Sequence, residues 1–220
     1  MTDTRKSGIA LIVGSLGGLL TMAIHPAEAA SLTADQAAHL ATTSAVAHSL
    51  AIASFLLLFL GACGLQRQIA AADRIAFAAI VTYGFACVAV LIAAAVSGFI
   101  IPSMISHMAR DVPAAAYQWR IVIDSIFQIN QAFSRIFSIG ASMAVLLWSV
   151  SALRNGGLSR GIAIYGCVIA LLTILGISVG HLRLNVHGMT LVVLGQAAWF
   201  IIVGTQLYSR TLSAASLLTS

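Results

Sequence analysis

The chain has 220 residues, of which 60% are hydrophobic and only 8% charged, with 11 Lys+Arg against 6 Asp+Glu and a formal net charge of +5. A soluble domain carries roughly 25% charged residues to keep its surface in water, so a soluble enzyme and a disordered tail are both excluded. The basic excess is spread thinly and forms no Lys/Arg patch of the kind that phosphate backbones require, so nucleic acid is excluded as a partner.

What remains is an all-α polytopic membrane protein whose first partner is the lipid bilayer. A hydrocarbon core of about 30 Å needs about 20 apolar residues in a helix. Backbone groups left unpaired in lipid are not tolerated, so each span must be helical. Six stretches qualify, at about 7–25, 37–65, 75–101, 132–153, 158–180 and 186–209. The short connections predict a single domain over 1–220, a compact bundle of six helices.

The first stretch begins after Arg5 and Lys6 and runs towards Ala27-Glu28-Ala29, which resembles a secretory signal with a small-residue cleavage site. The apolar run is longer than a signal core, and His25-Pro26 is an odd approach to such a site, so a retained span is expected. On this span Gly14, Gly18, Thr21 and His25 fall within about 60° of one another at 100° per residue. His25 therefore points inward, and Gly14 with Gly18 forms a small-xxx-small pair that admits a neighbouring helix. On the second span His39 and His48 are nine residues apart, about 180° around a helix, so both cannot face the bundle. The third span ends or kinks at Ile101-Pro102, followed by a polar cap over 106–111 that contains His107.

An amphipathic outer helix leads into the fourth span. Arg120, Asp124, Gln128, Gln131, Arg135, Ser138 and Ser142 recur at intervals of three and four residues, a stripe about 80° wide. Arg120 and Asp124 can pair at i,i+4. Arg135 offers a fork suited to a carboxylate or phosphate. From Ala114 to Leu153 is about 60 Å if straight, twice the bilayer. The stripe is therefore either wet by bulk water or lines a cavity, and the pattern alone leaves both open. Cys63, Cys87 and Cys167 lie within spans without a CxxC pair, so no disulfide or zinc knuckle is suggested.

Basic residues predict the orientation. Arg5, Lys6, Arg67, Arg74, Arg154, Arg160 and Arg210 fall at alternate span ends, so seven of the eleven bases share one face. Positive charge in short loops marks the cytoplasmic side, which makes this an inner-membrane protein with both termini inside. The opposite face carries Glu28, Asp35 and Asp111, with Arg110 and Arg183 as its loop bases.

All six histidines fall on that outer half. His25 and His48 lie 19 residues from Lys6 and Arg67, Arg135 lies 19 from Arg154, and His181 and His187 lie 21 and 23 from Arg160 and Arg210. At 1.5 Å per residue, five ionisable groups from five spans share a layer about 28–35 Å from the basic face. Interfacial side chains that snorkel to headgroups explain such a layer. So does a ligand site, because imidazoles converging from several helices suit a metal, a haem or an anionic group.

Three functions follow. The first is a binding or redox site: His48 with His181 or His187 holding one b-type haem, or His25, His48 and His187 holding a metal ion, with Arg135 neutralising an anion. The second is a membrane enzyme acting on a lipid or isoprenoid headgroup, in which Arg120, Asp124, Gln128, Gln131 and Arg135 meet the substrate. The third is an accessory subunit with a membrane-protein partner or a second copy of itself. HExxH, GxSxG and phosphate-cradling loops are missing, and the single lysine, Lys6, precludes a Schiff base within the spans. Acidic residues deep in the spans and paired broken helices are missing too, which argues against ion-coupled carriers.

Overall fold

The computed structural model describes residues 3–26, 33–70, 73–111 and 113–217, and every regular element among them is helical. In chain order these are α1 (Asp3–Ala23), α2 (Ala34–Ala70), α3 (Arg74–Ala95), a π-helical segment (Val96–Ile100), α4 (Ile101–Met108), α5 (Pro113–Asn155), α6 (Arg160–Ser178) and α7 (Val186–Leu217). Six helical stretches are long and apolar enough to cross a membrane: Asp3–Ala23, Ala34–Ile69, Arg74–Met108, Tyr117–Asn155, Arg160–Ser178 and Val186–Ser209. The Ala27-Glu28-Ala29 segment lies outside the described residues.

Local chemistry sets the helix starts. Thr33 and Gln36 form a reciprocal capping box at the head of α2: the Thr33 amide donates to Gln36 Oε1 at 2.9 Å, and the Gln36 amide to Thr33 Oγ1 at 3.3 Å. Asp73 caps α3 by accepting from the Ile75 amide, Ser159 caps α6, and Asn185 accepts from the Gly188 amide at the start of α7. The α5–α6 turn runs through Gly156 and Gly157 at φ +81° and +94°, a left-handed conformation that a Cβ strains.

Of the two outcomes expected at Ile101-Pro102, an end or a kink, the end does not occur. The third span passes through the π segment and continues as α4 to Met108. Pro102 occupies the first turn of α4, where its missing N–H costs little, and the π segment absorbs the register shift just before it. The amphipathic helix and the fourth span are likewise one uninterrupted helix of 43 residues, about 65 Å long.

The spans pack as a ring in chain order: α1 against α2, α2 against α3, α3 against α5, α5 against α6, α6 against α7, and α7 back against α1. Successive spans are antiparallel. Polar contacts gather one set of helix ends: Arg5 donates to Tyr208 Oη, Gln68 to Thr4, Trp148 to Gln66, and Ser151 and Asn155 to Asp73. This is the end that carries Arg5, Lys6, Arg67, Arg74, Arg154 and Arg160, and both the start of α1 and the last turns of α7 lie there.

Towards the basic end the ring is filled by aromatic side chains. Trp148 stacks on Trp199 at 6.2 Å between centroids, Tyr83 leans on Trp148 at 5.5 Å and on Phe200 at 5.6 Å, and Phe55 meets Phe137 edge-on at 5.0 Å. Trp148, Trp199, Tyr83, Phe137 and Phe200 are all buried. Small residues bring the helices close enough to make this plug. A Cβ on Gly14 would sit 2.8 Å from the Ser54 carbonyl oxygen, so α1 approaches the α2 backbone there. Gly18, its expected partner in packing, has nothing within 4 Å and faces open space instead.

Candidate functional site

Above the aromatic plug, at the end opposite the basic cluster, the ring holds an open-mouthed cavity of about 970 Å³. Phe55, Phe137 and Val193 form its floor, and it is lined by all six spans and by the α6–α7 connection. The polar lining comes mainly from His25, His48, Gln128, Asn130, Gln131, Ser134, Arg135, Arg183 and Asn185. Two arginines face this space and no Asp or Glu among the described residues lines it. The Lys6–Asp3 contact is the one salt bridge among the described residues, so neither Arg135 nor Arg183 is neutralised by a carboxylate there.

The stripe on α5 divides into three zones. Arg120 and Asp124 are exposed, outside the cavity lining, and do not form the ion pair that their spacing allows. Gln128, Gln131 and Arg135 line the cavity. Ser138 and Ser142 are buried deeper, where Ser138 Oγ contacts Met189 Sδ and Ser142 accepts from Gln196 Nε2 at 3.1 Å. One helix face thus passes from solvent through a polar chamber into the core. Both readings of the stripe hold, for different turns.

The histidines separate in the same way. His25, just past the end of α1, and His48, mid-way along α2, come together with ring centroids 5.2 Å apart at an interplanar angle of 67°. His48 is 7% exposed. His39, on the opposite face of α2, is exposed. His181 and His187 are exposed too and do not line the cavity that holds His48, so the His48–His181 or His48–His187 haem pair and the His25–His48–His187 triad are not assembled. His107 stacks on Trp119 at 6.0 Å, and Trp119 Nε1 donates to Asp111 at 2.7 Å, an arrangement that ties α4 to α5. Among the described residues no three His, Cys, Asp or Glu side chains gather into a metal-holding group.

Backbone carbonyls fix the tautomer of both cavity histidines. His48 Nδ1 is 2.8 Å from the Ser44 carbonyl oxygen, and His25 Nδ1 is 3.1 Å from that of Pro26. A carbonyl only accepts, so each Nδ1 carries the proton and each neutral ring presents an Nε2 lone pair. The π segment sets the position of His48, because a Cβ on Gly98 would collide with the His48 Cβ and lie 3.3 Å from Nδ1. With its Nδ1 edge against Gly98 and Ser44, the His48 ring offers its other edge to the cavity.

Asn130 stands one residue from the expected stripe. It is 6% exposed, lines the cavity, and its Oδ1 has no hydrogen-bond partner among the described residues. A buried polar atom left unpaired costs about 1–3 kcal/mol, so this atom is a place for a donor from a ligand or a water. Asn130 and Ser134, both buried cavity-lining residues, are spaced i,i+4 on one helix face, a signal the sequence contains. Arg183 and Asn185 are harder to anticipate, because a loop folds them over the cavity mouth and no helical period marks them.

No protein-family model matches the chain, and neither a curated protein nor a solved structure resembles it.

Proposed function

We propose that the chain is a multi-pass inner-membrane protein that binds an anionic amphiphile in its axial cavity at the outer face, with both termini cytoplasmic. The single observation that carries this reading is the pairing of Arg135 and Arg183 around one chamber without a lining carboxylate among the described residues. Both residues are exposed and unpaired with any carboxylate among the described residues, so their guanidinium groups are open to the head of a ligand. Arg forks meet phosphate or carboxylate oxygens in bidentate fashion. Gln128, Gln131 and Asn130 add hydrogen-bonding groups for a headgroup, while Phe55, Phe137 and Val193 offer an apolar floor to a chain or ring. The basic cluster at the other end supports the orientation through the positive-inside rule.

Binding is favoured over catalysis because Asp124, the acid–base candidate, stands outside the lining. The test is mass spectrometry of the chain purified in mild detergent. One anionic amphiphile should accompany each chain, and Arg135→Gln should remove it. An empty cavity in the unaltered chain, or occupancy indifferent to Arg135→Gln, would overturn the proposal in favour of a role within a larger membrane assembly.

A further inference from the structure

The chamber holds hydrogen-bond acceptors that an anion alone leaves unused. Backbone carbonyls keep His25 and His48 in the Nδ1–H form, so each ring presents an Nε2 lone pair, and a lone pair repels the oxygens of a phosphate. His48 Nε2 opens to the chamber. The Ser44 carbonyl and Gly98 hold the opposite side of the ring, and Nε2 is neither paired nor enclosed among the described residues. Asn130 adds a second acceptor. It is 6% exposed, lines the same chamber, and its Oδ1 lacks a donor among the described residues.

Helix register puts these two acceptors at one height. Gly140 on α5 abuts α3, where a Cβ would lie 3.1 Å from the Ala86 Cβ. Twelve residues outward along this antiparallel pair, Gly98 comes about level with Gln128 and Asn130. Gly98 is the residue against which His48 packs. Arg135 springs from five residues deeper on α5, about 7.5 Å below Asn130. The chamber therefore offers a cation nearer its floor and neutral acceptors nearer its mouth.

From this arrangement we infer that the chamber selects an amphiphile whose anionic head also carries free hydroxyl groups, a phosphodiester of a polyol or sugar. The inference rests on the anionic amphiphile proposed above and names the class of its head. Anionic oxygens meet Arg135 and Arg183, and the hydroxyls beyond them donate to His48 Nε2 and Asn130 Oδ1. A head without hydroxyls leaves both acceptors unpaired, and a site built to receive a hydroxyl discriminates against the analogue that lacks it. An ammonium head also has N–H donors, but two arginines repel it, and no Asp or Glu among the described residues lines the chamber to offset them.

The experiment offers the full chain, in mild detergent, equimolar phosphatidylglycerol and phosphatidylmethanol with identical acyl chains. Native mass spectrometry counts the bound lipid. The two lipids carry the same charge and differ in the hydroxyls of the head. Phosphatidylglycerol should be preferred about tenfold, and Asn130→Leu and His48→Phe should each lower that ratio about threefold. Arg135→Gln should lower the binding of both lipids together. The ratio in the unaltered chain decides the matter even where a variant does not fold. Equal binding of the two lipids, or a ratio untouched by both substitutions, would overturn the head selection while leaving the anionic amphiphile in place. Binding of neither lipid would overturn the proposed function and this inference with it. Glycerol phosphate at the same concentration should displace neither lipid; displacement would assign the chamber to a soluble polyol phosphate instead.

Discussion

Gly98 lies directly against His48: a side chain built at Gly98 would occupy the space of the His48 Cβ and crowd its ring. The contact joins the π segment of the third span to the second span, and it turns the imidazole towards the cavity. Gly98→Ala therefore cannot be accommodated without moving His48 or rewinding the π segment. Overpacking of this kind costs about 1–3 kcal/mol. A lower midpoint of thermal unfolding in detergent should result. An unchanged midpoint would mean that the contact does not place His48.

At the other end, Asp73 receives hydrogen bonds from Ser151 and Asn155 and caps α3 through the Ile75 amide. The Ser151 hydroxyl, followed by the Ile75 amide, stabilises the carboxylate and holds its pKa below the usual value. Because the folded value is the lower one, this contribution is present above the ordinary carboxylate range and is lost as pH falls through the folded value. Thermal midpoints of the unaltered chain and Asp73→Asn should differ at neutral pH and converge in acid. A gap that stays constant with pH would refute the role given to the carboxylate.

Burial separates the aromatic plug from the lipid-facing surface. Trp148 is fully buried between Trp199, Tyr83 and Phe200, whereas Phe85 is 72% exposed on the outside of the ring. Trp148→Ala should cost about 3–5 kcal/mol through lost contacts and a cavity. Phe85→Ala should stay within about 0.5 kcal/mol. Steric trapping or reversible unfolding in mixed micelles measures both, and equal effects would place the core elsewhere.

The orientation rests on the basic cluster. A cytoplasmic reporter fused after Ser220 should be active, and one that works only outside the membrane should be silent. Replacing Arg154 and Arg160 together with Gln should weaken this preference, since both flank one short loop. Activity of the outer reporter in the unaltered chain would invert the topology, and the cavity would then open inward.

The six spans were legible because membrane burial writes its requirement into long apolar runs, which a handful of charges then punctuates. The inward phase of His25 was legible for a related reason: Gly18 and Thr21 share its helix face, and all three line the cavity. The opposed phases of His39 and His48 were readable from their nine-residue spacing alone. Other features depend on tertiary contacts that leave little periodic trace. The π segment at Val96–Ile100 shifts the helical register, so Pro102 reads as an end when it begins a further turn. A shared depth put His181 and His187 in one layer with His48, but depth says nothing of direction around the ring, and both point away from the chamber. Arg183 replaced them at the site because the α6–α7 connection folds back over the mouth, with Leu182 donating its amide to the Gly176 carbonyl at 2.8 Å.

A structure of the chain in lipid nanodiscs would show whether the chamber bounded by Arg135 and Arg183 holds an anionic amphiphile. Elongated density is expected inside the ring, its head within hydrogen-bonding distance of both guanidinium groups and of Asn130, and its tail on Phe55 and Phe137. A chamber containing only water, or density that touches neither guanidinium group, would contradict this.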